Sequence, residues 1–279
     1  MNQQALKTLD SGLRGQIGSL SVVVTELMTL LEQDDVELDV LQSLLSKDQA
    51  LAARVLRIAN SPFYGLSRRV ASLHDATVVL GVHTIRNVVT AAGVIALFDD
   101  DSPQAFSRVK FWQHAIGTGV ASRVLAGRCN QDPEVAFTAG LLHDVGKLIL
   151  QTLLPDEFAR IMQHCWSEKC LIRESEATIL GFDHTFVGAK AAEMWRLPLN
   201  VRDAIGGHHS VSAGNVELLT HIVHVSDIVS RGLDIGCGGD PFIPELAPES
   251  WRAIGIAWEE MPGLLAEVER LNQSANLIL

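Results

Sequence analysis

The sequence predicts an all-α fold with two helical lobes. Apolar residues recur at three- and four-residue steps through most of the chain, alternating strand patterns are hard to find, and helix-boundary residues flank the periodic stretches. With 279 residues, 47% of them apolar, the chain can bury one large core or two modest ones. These observations together favour a globular helical protein.

The N-terminal part of the chain contains three stretches with helical apolar spacing. They comprise Leu20, Val23, Val24, Leu27, Leu30 and Leu31, then Leu41, Leu44 and Leu45, then Leu51, Val55 and Ile58. Asp48 is suited to cap a helix over residues 50–59, because its carboxylate can accept the free amides of the first turn. Asn60-Ser61-Pro62 is expected to end that helix, since proline restricts its own backbone and that of the preceding residue.

A run of three aspartates marks the predicted division of the chain. Asp99-Asp100-Asp101 is followed by Ser102-Pro103, a composition typical of a solvated turn. We therefore predict a first lobe over residues 1–101 and a second over 102–279. Within the second lobe, the Gly/Pro-rich segment 232–248 predicts a long loop, followed by a final helical piece around residues 251–271.

Composition limits the classes of partner. The formal net charge of −11 argues against direct nucleic-acid binding, because phosphate contacts need a positive surface. No stretch has the roughly 18 consecutive apolar residues of a membrane helix. The four cysteines show no CxxC spacing and the N-terminus has no signal-peptide pattern, so a cytoplasmic location is expected.

The run Gly140-Leu141-Leu142-His143-Asp144-Val145-Gly146-Lys147 contains the clearest chemical signal. An imidazole and a carboxylate side by side suit a divalent ion such as Fe, Mn, Zn or Ni. A metal ion with an open position can activate water against a phosphoester. The dipeptide alone has a simpler explanation, either chance or a hydrogen bond at a helix end.

Further histidines and an aspartate follow a recognisable order around this pair. The complete candidate set is His114, His143, Asp144, His184, His208, His209 and Asp227. This order resembles the HD-domain superfamily, and the full set is similar to the two-metal arrangement of its HD-GYP branch.

The resemblance implies a role for each residue of the set. His114, His143, Asp144 and Asp227 would form the minimal ligand set, and Asp144 would bridge two metals. His184, His208 and His209 would supply the second metal, and Lys147 would hold a substrate phosphate as in hydrolytic relatives. Two alternatives stay open: the histidines are hydrogen-bonded to carboxylates without any metal, and Lys147 interacts only with a helix C-terminus.

A second resemblance covers roughly residues 17–230. Five stretches show it: residues 46–64, 73–81, 84–86, 137–144 and 181–184. The first of them ends in Ala59-Asn60-Ser61-Pro62-Phe63-Tyr64, and the third is Thr84-Ile85-Arg86. They resemble the signature of HDOD proteins, the HD-related output domains of bacterial signalling. The resemblance implies an N-terminal helical lobe packed on an HD-like helical lobe, and it implies signalling more often than catalysis.

Two departures from hydrolytic relatives bear on function. The residues after His209 lack the Gly-Tyr-Pro signature of cyclic-dinucleotide phosphodiesterases, and Lys110 stands where a trinuclear site would need a carboxylate. We therefore predict a signalling output module that acts by binding a partner or ligand and has a possible site for one or two divalent metals. The alternative is a metal-dependent phosphohydrolase or cyclic-nucleotide phosphodiesterase in which Lys147 orients the phosphate.

A basic stretch in the first lobe suggests what such a module would bind. It consists of Lys47, Arg54, Arg57, Arg68 and Arg69. In an acidic protein these residues could dock an acidic signalling protein or a small phosphate-bearing ligand, since the arginine fork matches both. The alternative is an ordinary solvated helix face.

Overall fold

The computed structural model describes residues 2–17, 20–31, 37–66, 68–98, 106–212 and 216–275. Over these residues the chain is all-α, as predicted, and no strand is present. The α-helices are α1 (Gln3–Gly12), α2 (Val22–Leu30), α3 (Leu38–Leu45), α4 (Gln49–Ala59), α5 (Leu73–Leu80), α6 (Val82–Ala96), α7 (Arg108–Arg128), α8 (Pro133–Leu142), α9 (Val145–Leu153), α10 (Pro155–Glu168), α11 (Ile172–Leu180), α12 (His184–Met194), α13 (Leu199–Gly207), α14 (Leu218–Gly232), α15 (Pro248–Ile254) and α16 (Met261–Ala275).

The helices group into two compact units. The smaller unit contains α2 to α6, where α6 packs against α2, α4 and α5, and α3 packs against α5. The predicted apolar positions Leu27, Leu41 and Val55 lie in its core. The Arg86 guanidinium donates to the carbonyl oxygen of Leu31 at 2.6 Å, so it satisfies a carbonyl group that the end of α2 leaves unpaired.

The larger unit contains α1, α7 to α15 and α16 as far as Asn272. The long helix α7 packs along α8 and α14, and α12 packs against α9 and α13. The N-terminal segment is tied to the rest of this unit at two points: the Asn2 amide, before α1, donates to Leu180 O at 2.7 Å, and the Trp195 indole donates to Ile17 O, beyond the end of α1, at 3.0 Å. This unit contains all the candidate metal ligands.

The predicted boundaries of α4 are confirmed. The Asp48 carboxylate accepts the Leu51 amide at 3.0 Å, and the helix ends at Ala59 with Asn60 as its C-terminal cap. The Asn60 side chain donates to the carbonyl oxygens of Leu56 and Val70 and accepts the Val70 amide, each at 2.8 Å. The motif therefore ends the helix and also fixes the chain ten residues later.

Replacing Asn60 by alanine is expected to destabilise the protein by about 2–3 kcal/mol, because the buried Val70 backbone loses both of its partners. The measurement is urea unfolding followed by circular dichroism. Asn60→Asp keeps the acceptor for the Val70 amide but sets a carboxylate oxygen against the carbonyl oxygens of Leu56 and Val70, so it should not recover the lost stability. A loss below about 1 kcal/mol in Asn60→Ala would contradict this assignment.

The C-terminal prediction is confirmed with one refinement. Residues 233–247 contain no helix, and the helical piece that follows is split into α15 and α16. The split occurs at Gly255, whose φ of +63° ends α15 in the left-handed conformation that glycine adopts readily. The aspartate run lies outside the described residues, so the division at residue 101 stays a prediction. Among the described helices, none combines the length and apolar character needed to cross a bilayer.

Candidate metal centre

The His143-Asp144 pair lies where α8 meets α9. Asp132 starts α8 by accepting the amides of Glu134 and Val135 at 2.8 and 3.2 Å. His143 follows the last residue of α8, and Asp144 precedes the first residue of α9. Both side chains are fully buried, so the turn between the helices places two potential ligands inside the core.

The other candidate ligands reach the same place from four further helices. His114 lies in α7, His184 begins α12, His208 and His209 follow α13, and Asp227 lies in α14. The close approach of α12 to α9 requires glycine at position 146. A Cβ atom there would clash with the carbonyl oxygen of His184 and lie 2.9 Å from the Gly188 amide nitrogen.

Asp144 stands between two groups of potential ligands. Its Oδ2 atom lies 3.3 Å from His143 Nε2 and 3.6 Å from His114 Nε2. Its Oδ1 atom lies 3.1 Å from His184 Nε2 and 3.7 Å from His208 Nε2. The two oxygens of one carboxylate therefore face two different sets of histidines.

The two sets define two candidate metal positions. The first position consists of Asp144 Oδ2, His114, His143 and Asp227, whose Oδ1 lies 3.1 Å from His114 Nε2 and 3.7 Å from His143 Nε2. The second position consists of Asp144 Oδ1, His184, His208 and His209. The ligand atoms of Asp144 and the three histidines at the second position all lie within 4.8 Å of one another, as do those of His114, His143 and Asp144. The structure thus brings together every ligand predicted from the sequence.

The histidines are oriented as metal ligands usually are. The Nδ1 atoms of His143 and His208 lie 2.7 and 3.0 Å from the carbonyl oxygens of Gly140 and Ile205. Since a carbonyl can only accept, the proton of the neutral ring sits on Nδ1 and leaves Nε2 with a free lone pair. The buried Nε2 atoms of His114, His143, His184 and His208 have no hydrogen-bond partner, and neither does Asp144 Oδ1. This donor set fits a divalent metal.

Glu176 supports the second position, and the sequence analysis missed it. This fully buried residue of α11 accepts two hydrogen bonds from His184 at its Oε2 atom. One comes from the ring Nδ1 at 2.6 Å and the other from the backbone amide at 2.9 Å. A carboxylate behind a ligating histidine fixes the ring and makes it a stronger donor. Its spacing of eight residues before His184 gives no local signal, because the contact is made between two helices.

Two buried cations lie at the first position. Lys147 Nζ contacts Asp144 Oδ2 at 2.6 Å, rather than a helix C-terminus. Arg231, which the sequence analysis also missed, contacts Asp227 Oδ1 at 2.8 Å and Asp240 Oδ1 at 3.0 Å. Arg231 follows Asp227 by four residues in α14, a spacing that permits an ion pair on any helix but does not reveal that this one is buried.

The segment 236–240 lies over the first position. The Cys237 amide donates to Lys110 O at 2.9 Å. A methyl group on Gly238 would lie 3.0 Å from the His114 ring and 3.1 Å from Asp144 Oδ2. Backbone therefore occupies the space above these side chains, and a Cβ atom at residue 238 would be tightly packed against them.

Two further histidines, His221 and His224, are buried in α14. His221 Nδ1 lies 2.9 Å from Ser250 Oγ. His224 Nδ1 lies 2.8 Å from His208 O, and its Nε2 accepts the Ala247 amide at 3.2 Å. His224 therefore links the backbone beside a candidate ligand to the segment before α15.

The charged neighbours shift the pKa values of the cluster in opposite directions. Burial alone would lower the pKa of His143, but the carboxylates of Asp144 and Asp227 together outweigh it and raise the pKa to about 9. Burial acts on His184 in the same way, and Glu176 raises its pKa to about 9. Burial lowers the pKa of His208 to about 4. Without metal, His143 and His184 are therefore protonated at neutral pH.

Metal affinity is accordingly expected to rise with pH. Ligation requires neutral imidazole, so each proton displaced from His143 or His184 strengthens binding about tenfold per pH unit, up to about pH 9. Both pKa values are raised on folding, so their contribution to metal-free stability is complete below about pH 6.5 and is lost as pH rises through about 9. Calorimetric metal titrations in buffers of different ionisation enthalpy measure the protons released. Affinity that does not change between pH 6 and 9 would contradict the prediction.

Comparison with known proteins identifies the family. The model of the HDOD domain matches residues 17–211. The chain belongs to the HDOD domain family. An uncharacterized protein of Treponema pallidum is 26% identical to this HDOD protein over 201 residues, which are 70% of this chain and 38% of that protein. The match therefore covers about two fifths of the length of that relative.

Solved structures share the fold of this HDOD protein. One, from Shewanella amazonensis and provisionally named a phosphohydrolase, has a TM-score of 0.77 and 24% identity, and the match covers 99% of this chain and 97% of that one. Another, from Marinobacter aquaeolei and provisionally named a signal transduction protein, has a TM-score of 0.76 and 21% identity, and the match covers 99% of this chain and 66% of that one. At these identities the likeness establishes the fold.

Proposed function

We propose that this HDOD protein is a signal-transduction module that acts by binding a partner or ligand, and that its larger unit holds divalent metal as a regulatory or structural element. The observation that carries the metal assignment is the set of five buried ligand atoms without hydrogen-bond partners around Asp144. Buried imidazole nitrogens and a carboxylate oxygen that converge in this way are the donors that a divalent ion takes. Family membership and a structural neighbour named for signal transduction support the signalling role.

Burial of the cluster favours a regulatory role over turnover. The side chains at the first position are at most 3% exposed, and the glycine segment lies directly over them. A substrate phosphate would have to displace this segment and also separate Lys147 from Asp144. Open catalytic metal sites keep a position for water or substrate instead.

A metal-dependent phosphohydrolase is the second candidate, and one observation favours it. The Asp144 carboxylate presents one oxygen to each of two ligand sets, as expected of a residue that bridges two metals. Bound metal would supply Lewis acidity toward a phosphoester. His143 and Asp144 would hold it, and Lys147 would orient the phosphate once released from its carboxylate.

The experiment that separates the two candidates measures metal and turnover on the same preparation. The chain is purified anaerobically without a His tag, its metal content is determined by mass spectrometry, and bis(p-nitrophenyl) phosphate and cyclic dinucleotides are offered as substrates. We expect bound metal and no hydrolysis above the level of the metal-free chain. Hydrolysis that scales with metal content and disappears in Asp144→Asn would establish the phosphohydrolase instead.

The partner proposed for the smaller unit is an acidic protein. Arg57, Arg68 and Arg69 are exposed in a chain whose net charge is −11, so they form a basic stretch that an acidic surface would complement. The double variant Arg68→Glu with Arg69→Glu should no longer capture that partner from native lysate, and its melting temperature should stay unchanged. A large drop in melting temperature would identify the arginines as structural.

A further inference from the structure

The two positions of the metal centre differ in what neutralises their carboxylates. At the first position, Asp144 Oδ2 already accepts Lys147 at 2.6 Å, and Asp227 Oδ1 already accepts Arg231 at 2.8 Å. Each acidic oxygen there has a charged side chain as its partner. These cations stand where the charge of a metal ion would otherwise be needed.

Among the residues that the structure describes, no lysine or arginine pairs with the carboxylate oxygen of the second position, where Arg173 donates only to the backbone oxygen of His209 at 3.3 Å. Asp144 Oδ1 and the Nε2 atoms of His184 and His208 are buried and unpartnered, and a ligand atom of His209 lies within 4.8 Å of each. Glu176 holds the His184 ring from behind. One carboxylate oxygen and three imidazoles supply the four donors that a divalent ion such as zinc takes.

The balance of buried charge points to a single ion. Four buried carboxylates surround the site: Asp144, Glu176, Asp227 and Asp240. Two cations form ion pairs with these carboxylates: Lys147, whose side chain has no exposed surface, and Arg231, whose side chain is 7% exposed. Ligation at the second position requires only His184, His208 and His209 to be neutral, so the four carboxylates exceed the two cations by at most two charges. One divalent ion is enough to cancel that excess, whereas a second would leave buried positive charge without a counter-ion.

We infer that this HDOD protein takes one divalent metal ion, at the second position, and that Arg231 together with Lys147 supplies the positive charge at the first. The inference rests on the proposed metal binding and specifies its stoichiometry and place. It gives Arg231 the role of a permanent substitute for a metal ion. The histidines of the first position then pack beside the carboxylates without ligating.

The first test uses one histidine from each position. Metal-free protein is loaded with Mn²⁺ or Zn²⁺, dialysed and analysed for bound metal, with circular dichroism to confirm folding. The parent should hold one equivalent, His114→Ala should keep it, and His209→Ala should lose it. Two equivalents in the parent, or loss in His114→Ala with retention in His209→Ala, would overturn the inference and leave metal binding intact. A parent that takes up no metal would overturn both.

The second test removes the substitute cation. Arg231→Gln should raise the metal content from one to two equivalents, because the first position then needs a positive charge. The matched control is Arg252→Gln, at an arginine whose side chain is 72% exposed and pairs with Glu249, and it should stay at one. One equivalent in a folded Arg231→Gln would overturn the role assigned to Arg231. If that variant does not fold, the histidine pair decides.

Discussion

Replacing Asp144 by asparagine is expected to weaken metal binding by at least about 100-fold and to destabilise the protein by about 3–5 kcal/mol. The metal effect follows because Asp144 contributes an oxygen to both positions. The stability effect follows because Lys147, whose side chain has no exposed surface, would keep a buried charge without its partner. Metal analysis and urea unfolding measure the two effects separately.

The double variant Asp144→Asn with Lys147→Met is the matched control. Methionine removes the stranded charge and retains most of the volume, so much of the lost stability should return while metal binding stays absent. Stoichiometric metal in Asp144→Asn would refute the ligand assignment. A double variant no more stable than the single one would refute the assigned role of the Lys147 charge.

Replacing Gly146 by alanine should give the second large effect, a loss of about 3 kcal/mol. The added Cβ atom would meet the backbone of α12 at His184 and Gly188, and backbone cannot rotate away as a side chain can. For a chain of this size the melting temperature should fall by about 6–12 °C. Metal binding should weaken as well, because the displaced turn carries His184.

Gly127→Ala provides the control for this substitution. Gly127 is an exposed residue near the end of α7, and a Cβ atom there would meet nothing within 4 Å. Since alanine is the better helix former, the melting temperature should stay the same or rise slightly. A similar drop in the two variants would show that the close approach of α9 and α12 is not what requires glycine.

The fold could be predicted largely from local signals. Leu27, Leu41 and Val55 are spaced as the buried face of a helix requires, and Asp48 and Asn60 act on neighbouring backbone. Such interactions span a few residues, so the sequence contains them directly. The split between α15 and α16 depends on the conformation of one glycine, and helical spacing does not reveal it.

Part of the candidate site could not be predicted from the sequence, and the reason is again physical. His143 and Asp144 are adjacent and match a known motif, whereas Glu176 and Arg231 act through contacts made by the tertiary fold. A glutamate among exposed residues of α11, or an arginine one turn after an aspartate, resembles the ordinary charged surface of a helix. What distinguishes these two is the burial of their charged groups, which depends on the packing of neighbouring helices.

The distribution of ligands over five regions of the larger unit also sets an order of events during biosynthesis. During translation, His114 is synthesised well before Asp227. The Arg231 side chain that pairs with Asp227 also contacts Asp240 and the carbonyl oxygen of Phe242, which are synthesised later still. A ribosome must therefore release nearly the whole unit before the first position can assemble. The ligands proposed for the second position, by contrast, end at His209, so a metal ion would find its ligand set there before the ion pairs of the first position can form.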